Sequence, residues 1–246
     1  MQNAGEALRQ FLVGEIQLEP FLREVASQEL WWVPAVDGPQ GPEAGVFEDP
    51  DGTGRWLLVY TGMETYAEAA PAAPTRVVLS PAQWLPIAGR DGVLGVQIDA
   101  DCAHRVAIHR ETRADRLLAA YVGAVVVELL LDGVPLPNKV ELLRCYGGYR
   151  LLRERSSGML LTAGDDGRHM AAVCTAPDAT RHIIDASPYA AQQLEVVMRS
   201  GGDLFAELWA DEGVEGVRFN WQGPAGRREV TRQFFRWVLT GEGDEI

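Results

Sequence analysis

Over residues 6–26 apolar side chains recur every three or four positions, and from residue 30 onward they gather into short contiguous or alternating runs. The first period predicts two amphipathic helices, Glu6–Val13 and Leu18–Ala26; the second predicts strands. Leu30–Pro34 reads as a strand in which Trp31 and Trp32 point to opposite faces. Residues 37–54, with Gly38, Pro39, Gly41, Pro42 and Gly45, show no apolar period and read as a long loop. Trp56–Tyr60 is apolar on both faces, the mark of a central strand. Thr61 and Glu64 have the spacing of a capping box, predicting a helix to Ala69. Arg76–Leu79 follows as a strand, and Ser80-Pro81 opens the next helix with proline at its first position. Val93–Ile98 and Arg105–Ile108 are two further strands, and a helix spans Ala114–Leu131.

The same order then returns. Phe11-Leu12-Val13-Gly14 aligns with Leu130-Leu131-Asp132-Gly133, and Leu30-Trp31-Trp32-Val33 with Tyr149-Arg150-Leu151-Leu152. Asp51-Gly52 meets Asp166-Gly167, both turn pairs. Leu57-Leu58-Val59-Tyr60-Thr61 meets Ala171-Ala172-Val173-Cys174-Thr175, and Val77-Val78 meets Val196-Val197. The closest correspondence is Gly92-Val93-Leu94-Gly95-Val96 with Gly213-Val214-Glu215-Gly216-Val217. Internal repetition of this length makes each copy one folding unit. The expected fold is α+β: two tandem mixed-sheet units with flanking helices, related by a pseudo-twofold axis, over residues 1–126 and 127–246. A final helix, Val230–Leu239, closes the second copy.

Three segments resemble the N-terminal domain of the bacterial SseB family, named for enhanced serine sensitivity. They are Trp31-Trp32-Val33-Pro34, Val59-Tyr60-Thr61-Gly62-Met63-Glu64, and Gly92 through Asp99. The second half carries a weaker likeness in Val173-Cys174-Thr175-Ala176-Pro177-Asp178 and in Gly213 through Asn220. It departs from the pattern at Trp221, where proline is usual, and at Cys174, which replaces an aromatic. The resemblance implies a small cytoplasmic accessory or interaction domain, with no established active site to carry across.

Charge narrows the field. The 246 residues carry a formal charge of −13, the opposite of the field a reader of nucleic-acid backbones or anionic membranes requires. Lys139 is the single lysine. The N-terminal residues do not form a signal peptide, and the apolar run Leu117–Leu131, broken by Gly123 and Glu128, is too short to span a bilayer. Cys102, Cys145 and Cys174, odd in number and without a CxxC pair, fit free thiols in a cytoplasmic protein.

Candidate chemistry is sparse. Asp99, Asp101, Cys102, His104 and His109 are all potential ligands, but the segment lacks the spacing of a zinc site, and the second copy has none of these His or Cys residues. Cys174, just before a predicted helix, is a possible nucleophile, with His169 or His182 as base. Its counterpart Tyr60 argues instead for an apolar position. Gly147-Gly148 and Gly201-Gly202 belong to no phosphate-binding motif. The acidic pairs Asp165-Asp166 and Asp211-Glu212 and the tail Glu242–Glu245 read as solvated surface. No catalytic, cofactor or metal residue is expected.

Seven tryptophans remain. Trp31, Trp32, Trp56 and Trp221 are the expected partner-binding residues, since an exposed tryptophan beside the Pro/Gly loop would make a binding anchor. The functional expectation is a non-catalytic module that binds a protein partner or a second copy, in the manner of an escort or chaperone for an effector. The alternative is a small-molecule-binding protein or thiol-dependent enzyme using the cleft between the copies.

Overall fold

The computed structural model describes residues 4–39, 41–48, 52, 54–69, 75–129, 137–162, 167–186, 188–221 and 228–240. Asp51, Asp165, Asp166 and Glu242–Glu245 lie outside them. The chain divides into two compact units, Met1–Val122 and Gly123–Ile246. Helices combined with mixed and antiparallel sheets make the fold α+β, as the hydrophobic pattern predicts.

The first unit begins with α1 (Ala4–Leu12) and α2 (Leu18–Ser27). Their apolar stripes meet through Phe11 and Phe21, stacked at 4.7 Å. Next come β1 (Trp31–Gly38), β2 (Gly41–Ala44), β3 (Val46–Glu48), β4 (Arg55–Val59), α3 (Met63–Ala69), β5 (Arg76–Leu79), α4 (Pro81–Ala88), β6 (Val93–Ile98) and β7 (Val106–His109). Helix α5 (Arg113–Leu129) carries the division between the units.

The predicted loop over 37–54 is the largest correction in this unit. Strand β1 runs on to Gly38 and turns back into β2, pairing Ala35 with Ala44 and Gly38 with Gly41. Val46–Glu48 then pairs with β4. The polar strand Gly-Pro-Glu-Ala has little apolar side chain to bury. It is held by ladder hydrogen bonds, which hydrophobic periodicity cannot report.

Strands β2, β1 and β5 form one antiparallel sheet, and β3, β4, β6 and β7 another. A bridge joins the two: Trp32 and Tyr60 exchange backbone hydrogen bonds of 3.1 and 2.9 Å. Read across that bridge, the order is β5-β1-β4-β6-β7, with β4 and β6 parallel. Helix α4 packs on β4, β5 and β6, and the buried Trp84 meets Trp31 edge-on. The expected start of α4 is in place, with the Gln83 side chain accepting from the Ser80 amide and hydroxyl.

The second unit contains α6 (Pro137–Cys145), β8 (Tyr149–Glu154), β9 (Met170–Cys174), α7 (Pro177–Asp185), α8 (Pro188–Gln193), β10 (Leu194–Arg199), α9 (Gly201–Ala210), β11 (Gly216–Phe219), β12 (Arg228–Thr231) and α10 (Arg232–Thr240). Its sheet runs β10-β8-β9-β11-β12, with β9 and β11 parallel. This is the strand order of the first unit. Val230, expected in the last helix, lies in β12 opposite Val217, because the helical period of Phe234, Phe235 and Val238 begins only after Thr231. Tyr149, Phe205, Phe219 and Phe235 form the aromatic centre of this unit.

The second glycines of the two G-V-x-G-V segments, Gly95 within β6 and Gly216 at the start of β11, have a common steric cause. A Cβ on Gly95 would sit 2.1 Å from the Ile108 carbonyl oxygen, and one on Gly216 would sit 2.3 Å from that of Val230. Each allows the neighbouring antiparallel strand to approach closely. Gly95 also has φ +147°, a conformation that favours glycine.

Candidate functional site

The ends of the parallel strands, where binding residues of mixed sheets often gather, carry the same latch in both units. In the first, the Asp99 carboxylate accepts the Thr61 amide and hydroxyl, both at 2.7 Å. In the second, Asn220 Oδ1 accepts the Thr175 amide at 2.9 Å, and its Nδ2 donates to the Thr175 hydroxyl at 2.9 Å. The Thr61–Glu64 capping box is thereby corrected. Helix α3 starts at Met63, the Thr61 hydroxyl is committed to Asp99, and Thr65 bonds to Gly62.

Burial raises the Asp99 carboxyl above its ordinary value, opposed by the hydrogen bonds from Thr61. Tyr60, beside it, is raised mainly by burial, with the Asp101 charge adding to the shift. The potential ligands of this segment do not converge. Cys102 donates to the Thr65 carbonyl at 3.7 Å, His104 is exposed, and His109 lies edge-on to Trp56 at 4.7 Å. Among the described residues no group of three or more His, Cys, Asp and Glu is placed to hold a metal ion.

Cys174 is fully buried with Leu152, Ala172, Ala179 and Ile183. Burial pushes its thiol up to about 11, the reverse of what a helix N-terminus would do for an accessible thiol. His169 and His182 are exposed. The position takes an apolar side chain, as the alignment with Tyr60 indicated.

The tryptophans separate by burial. Trp31 and Trp56, expected at a partner surface, lie in the interior with their rings packed in the core. Trp32, on the opposite face of β1 from Trp31, is half-buried against the cluster of Tyr60, Tyr66 and Ala100, with the Arg76 guanidinium 5.0 Å from its ring. Trp221 is half-buried against the cluster around Cys174.

Strand register places further residues beside Trp32 that sequence reasoning did not single out. Val78 lies directly opposite Trp32 and is 40% exposed. Val36, two positions along the same face as Pro34, is also exposed. Strand β5 has no neighbour on its outer side among the described residues. The Ala35 amide donates to the Thr75 carbonyl, which fixes the ladder's alternation and directs the amides and carbonyls of Arg76 and Val78 outward. The second unit has the matching strand β10, where Met198 pairs with Arg150 and is 48% exposed. This register also moves two sequence alignments by one residue: Trp31 corresponds to Tyr149, and Val78 to Met198.

Residues 5–112 match the family model described as the SseB protein N-terminal domain. No curated protein matches the chain. A solved structure, Anabaena Tic22 (protein transport), is similar at 9% identity with a TM-score of 0.21, covering 80% of this chain and 88% of that one.

Proposed function

Because residues 5–112 match the model of the SseB protein N-terminal domain, we propose that the chain is a non-catalytic accessory module that binds a protein partner, in the manner of an escort for an effector protein. The observation that carries this reading is the exposed Val78 opposite the half-buried Trp32, set on one sheet face beside an edge of β5 that has no partner strand among the described residues. An extended segment added to that edge gains backbone hydrogen bonds from Arg76 and Val78, and its side chains on this face meet Val78, with Trp32 one strand further in. Tryptophan is among the residue types enriched at the energetic centres of interfaces.

The formal charge of −13 favours a partner of basic character and speeds its encounter. The second unit is a diverged copy of the first, a reading supported by the common strand order and the paired threonine latches. The setting is the cytoplasm, supported by three cysteines outside any disulfide. No helix among the described residues is long and apolar enough to cross a membrane.

The test is a photoreactive phenylalanine analogue at Val78, introduced into the full chain in its native host. A single protein crosslinked in stoichiometric yield is expected, with no such product from the same group placed at the exposed His182. Equal labelling of many proteins from both positions would remove the reading.

A further inference from the structure

The outer edge of β10 is a separate surface in the second unit. Its strand reads Leu194-Glu195-Val196-Val197-Met198-Arg199 and closes one side of the five-stranded sheet. The Arg155 amide donates to the Gln193 carbonyl at 2.7 Å. The ladder alternation that follows directs the amides and carbonyls of Leu194, Val196 and Met198 outward. Two of these carbonyls are met by arginines: Arg155 Nε donates to Leu194 at 2.9 Å and Arg199 Nη1 to Met198 at 3.1 Å. Val196 lies between them, 37% exposed, and Met198 is 48% exposed. An edge of this kind is a template for another strand, and proteins that leave one unpaired usually blunt it with charged side chains, proline or a bulge. No proline or bulge interrupts β10, and its two charged residues, Glu195 and Arg199, are of opposite sign.

The sequence of the strand is complementary to itself. When two antiparallel copies are centred on Val197, the outward-directed Val196 of each pairs with Met198 of the other. This is the combination that antiparallel hydrogen bonding requires. The same register sets Glu195 of one copy opposite Arg199 of the other, twice, at the non-hydrogen-bonded positions where side chains come closest. Arg199 keeps Nε on Glu207 at 2.8 Å, and its Nη1 can exchange the Met198 carbonyl for the opposing carboxylate. An isologous contact repeats every favourable pair by symmetry. Strand β5 has no such match, since its only charged residue is Arg76.

We propose that β10 pairs with β10 of a second copy, antiparallel about Val197, joining two five-stranded sheets into one. This goes beyond the partner-binding reading, which concerns the β5 edge and stands or falls separately.

The experiment uses the full chain. Sedimentation across a concentration series up to about 100 µM, the range in which modest interfaces assemble, is expected to show a monomer–dimer equilibrium. Glu195→Lys sets like charges opposite Arg199 at both ends of the ladder and is expected to weaken the dimer by about tenfold or more, with a melting temperature unchanged at concentrations where both chains are monomeric. As a second readout, Val197→Cys in a Cys145→Ser background is expected to form a covalent dimer on mild oxidation. Opposed non-hydrogen-bonded positions meet the spacing of a disulfide. Val78→Cys in the same background is the control and should stay uncrosslinked. A wild-type chain that is monomeric throughout leaves the edge to a different protein strand and overturns the proposal. So does a dimer indifferent to Glu195→Lys, or one crosslinked through residue 78 and not 197.

Discussion

Asp99 and Asn220 hold the same left-handed backbone conformation, with φ 49° and 50°, at equivalent strand ends, and each accepts the amide of the threonine that leaves the neighbouring parallel strand. One is a carboxylate and the other an amide, so the two units perform the same structural task with and without a buried charge. Aspartate and asparagine are the non-glycine residues that adopt this conformation at least cost.

That difference makes Asp99→Asn an informative substitution. The raised Asp99 carboxyl means that the folded state holds its proton more tightly than the unfolded chain. Stability therefore falls as pH rises through the raised value, because ionisation is penalised by burial. Asparagine removes that penalty and keeps both partners, as Asn220 does. The variant is expected to melt higher than wild type at pH 7, with the gain shrinking as pH falls toward the ordinary carboxylate range. The reverse change, Asn220→Asp, buries a new charge in a fully enclosed site and is expected to cost about 2–4 kcal/mol at pH 7. Thermal melts at several pH values read both.

Gly95 and Gly216 should tolerate no side chain. Alanine at either position drives a methyl group into a strand carbonyl, and the cost is expected at about 2–4 kcal/mol. Gly14, with open space around it, is the control; alanine there meets only the strain of its positive φ. Urea denaturation of the three variants gives the comparison.

Arginine side chains close two helices of the second unit. Arg144 donates to the carbonyls of Val238 and Leu239 at the end of α10, and Arg232 donates to those of Leu208, Trp209, Asp211 and Val214 around the end of α9. Arg232 also lies over the Trp209 ring at 4.7 Å. Arg232→Ala leaves several carbonyls without their donor and is expected to cost about 1–3 kcal/mol. Arg232→Lys should recover only part of it, since an ammonium cannot reproduce the planar fork.

Cys174 is expected to be inert toward a thiol reagent in the folded protein. Its burial and its thiol raised to about 11 both oppose formation of the thiolate that reacts. At pH 8 the exposed Cys145 should label first, and Cys174 only as the chain unfolds. Mass spectrometry after timed quenching separates the two sites.

The strands with dense apolar content were readable from the sequence: Trp56–Tyr60, Arg76–Leu79 and Val93–Ile98 fall within a residue of β4, β5 and β6. The G-V-x-G-V correspondence is plain in the sequence, but the opposing carbonyls of Ile108 and Val230 that require its glycines become visible only once β7 and β12 are paired. Strands β2 and β3 escaped because their order comes from ladder bonding to β1 and β4, not from an apolar period of their own. Trp31 and Trp32 were correctly assigned opposite faces, but which of them faces the core depends on α4 and Trp84. Val78 and Met198 carried no signal, since Val-Val and Val-Met read as core until the register shows both strands at a sheet edge.

The Trp32–Val78 face is the place proposed for a partner to bind. The most direct measurement is quantitative affinity capture from the native lysate with wild-type chain and with Val78→Asp, an exposed substitution that leaves the core untouched. A stoichiometric protein retained by wild type and lost about tenfold or more from the variant, with melting temperatures equal, is the expected result. Identical retention by both chains would contradict it.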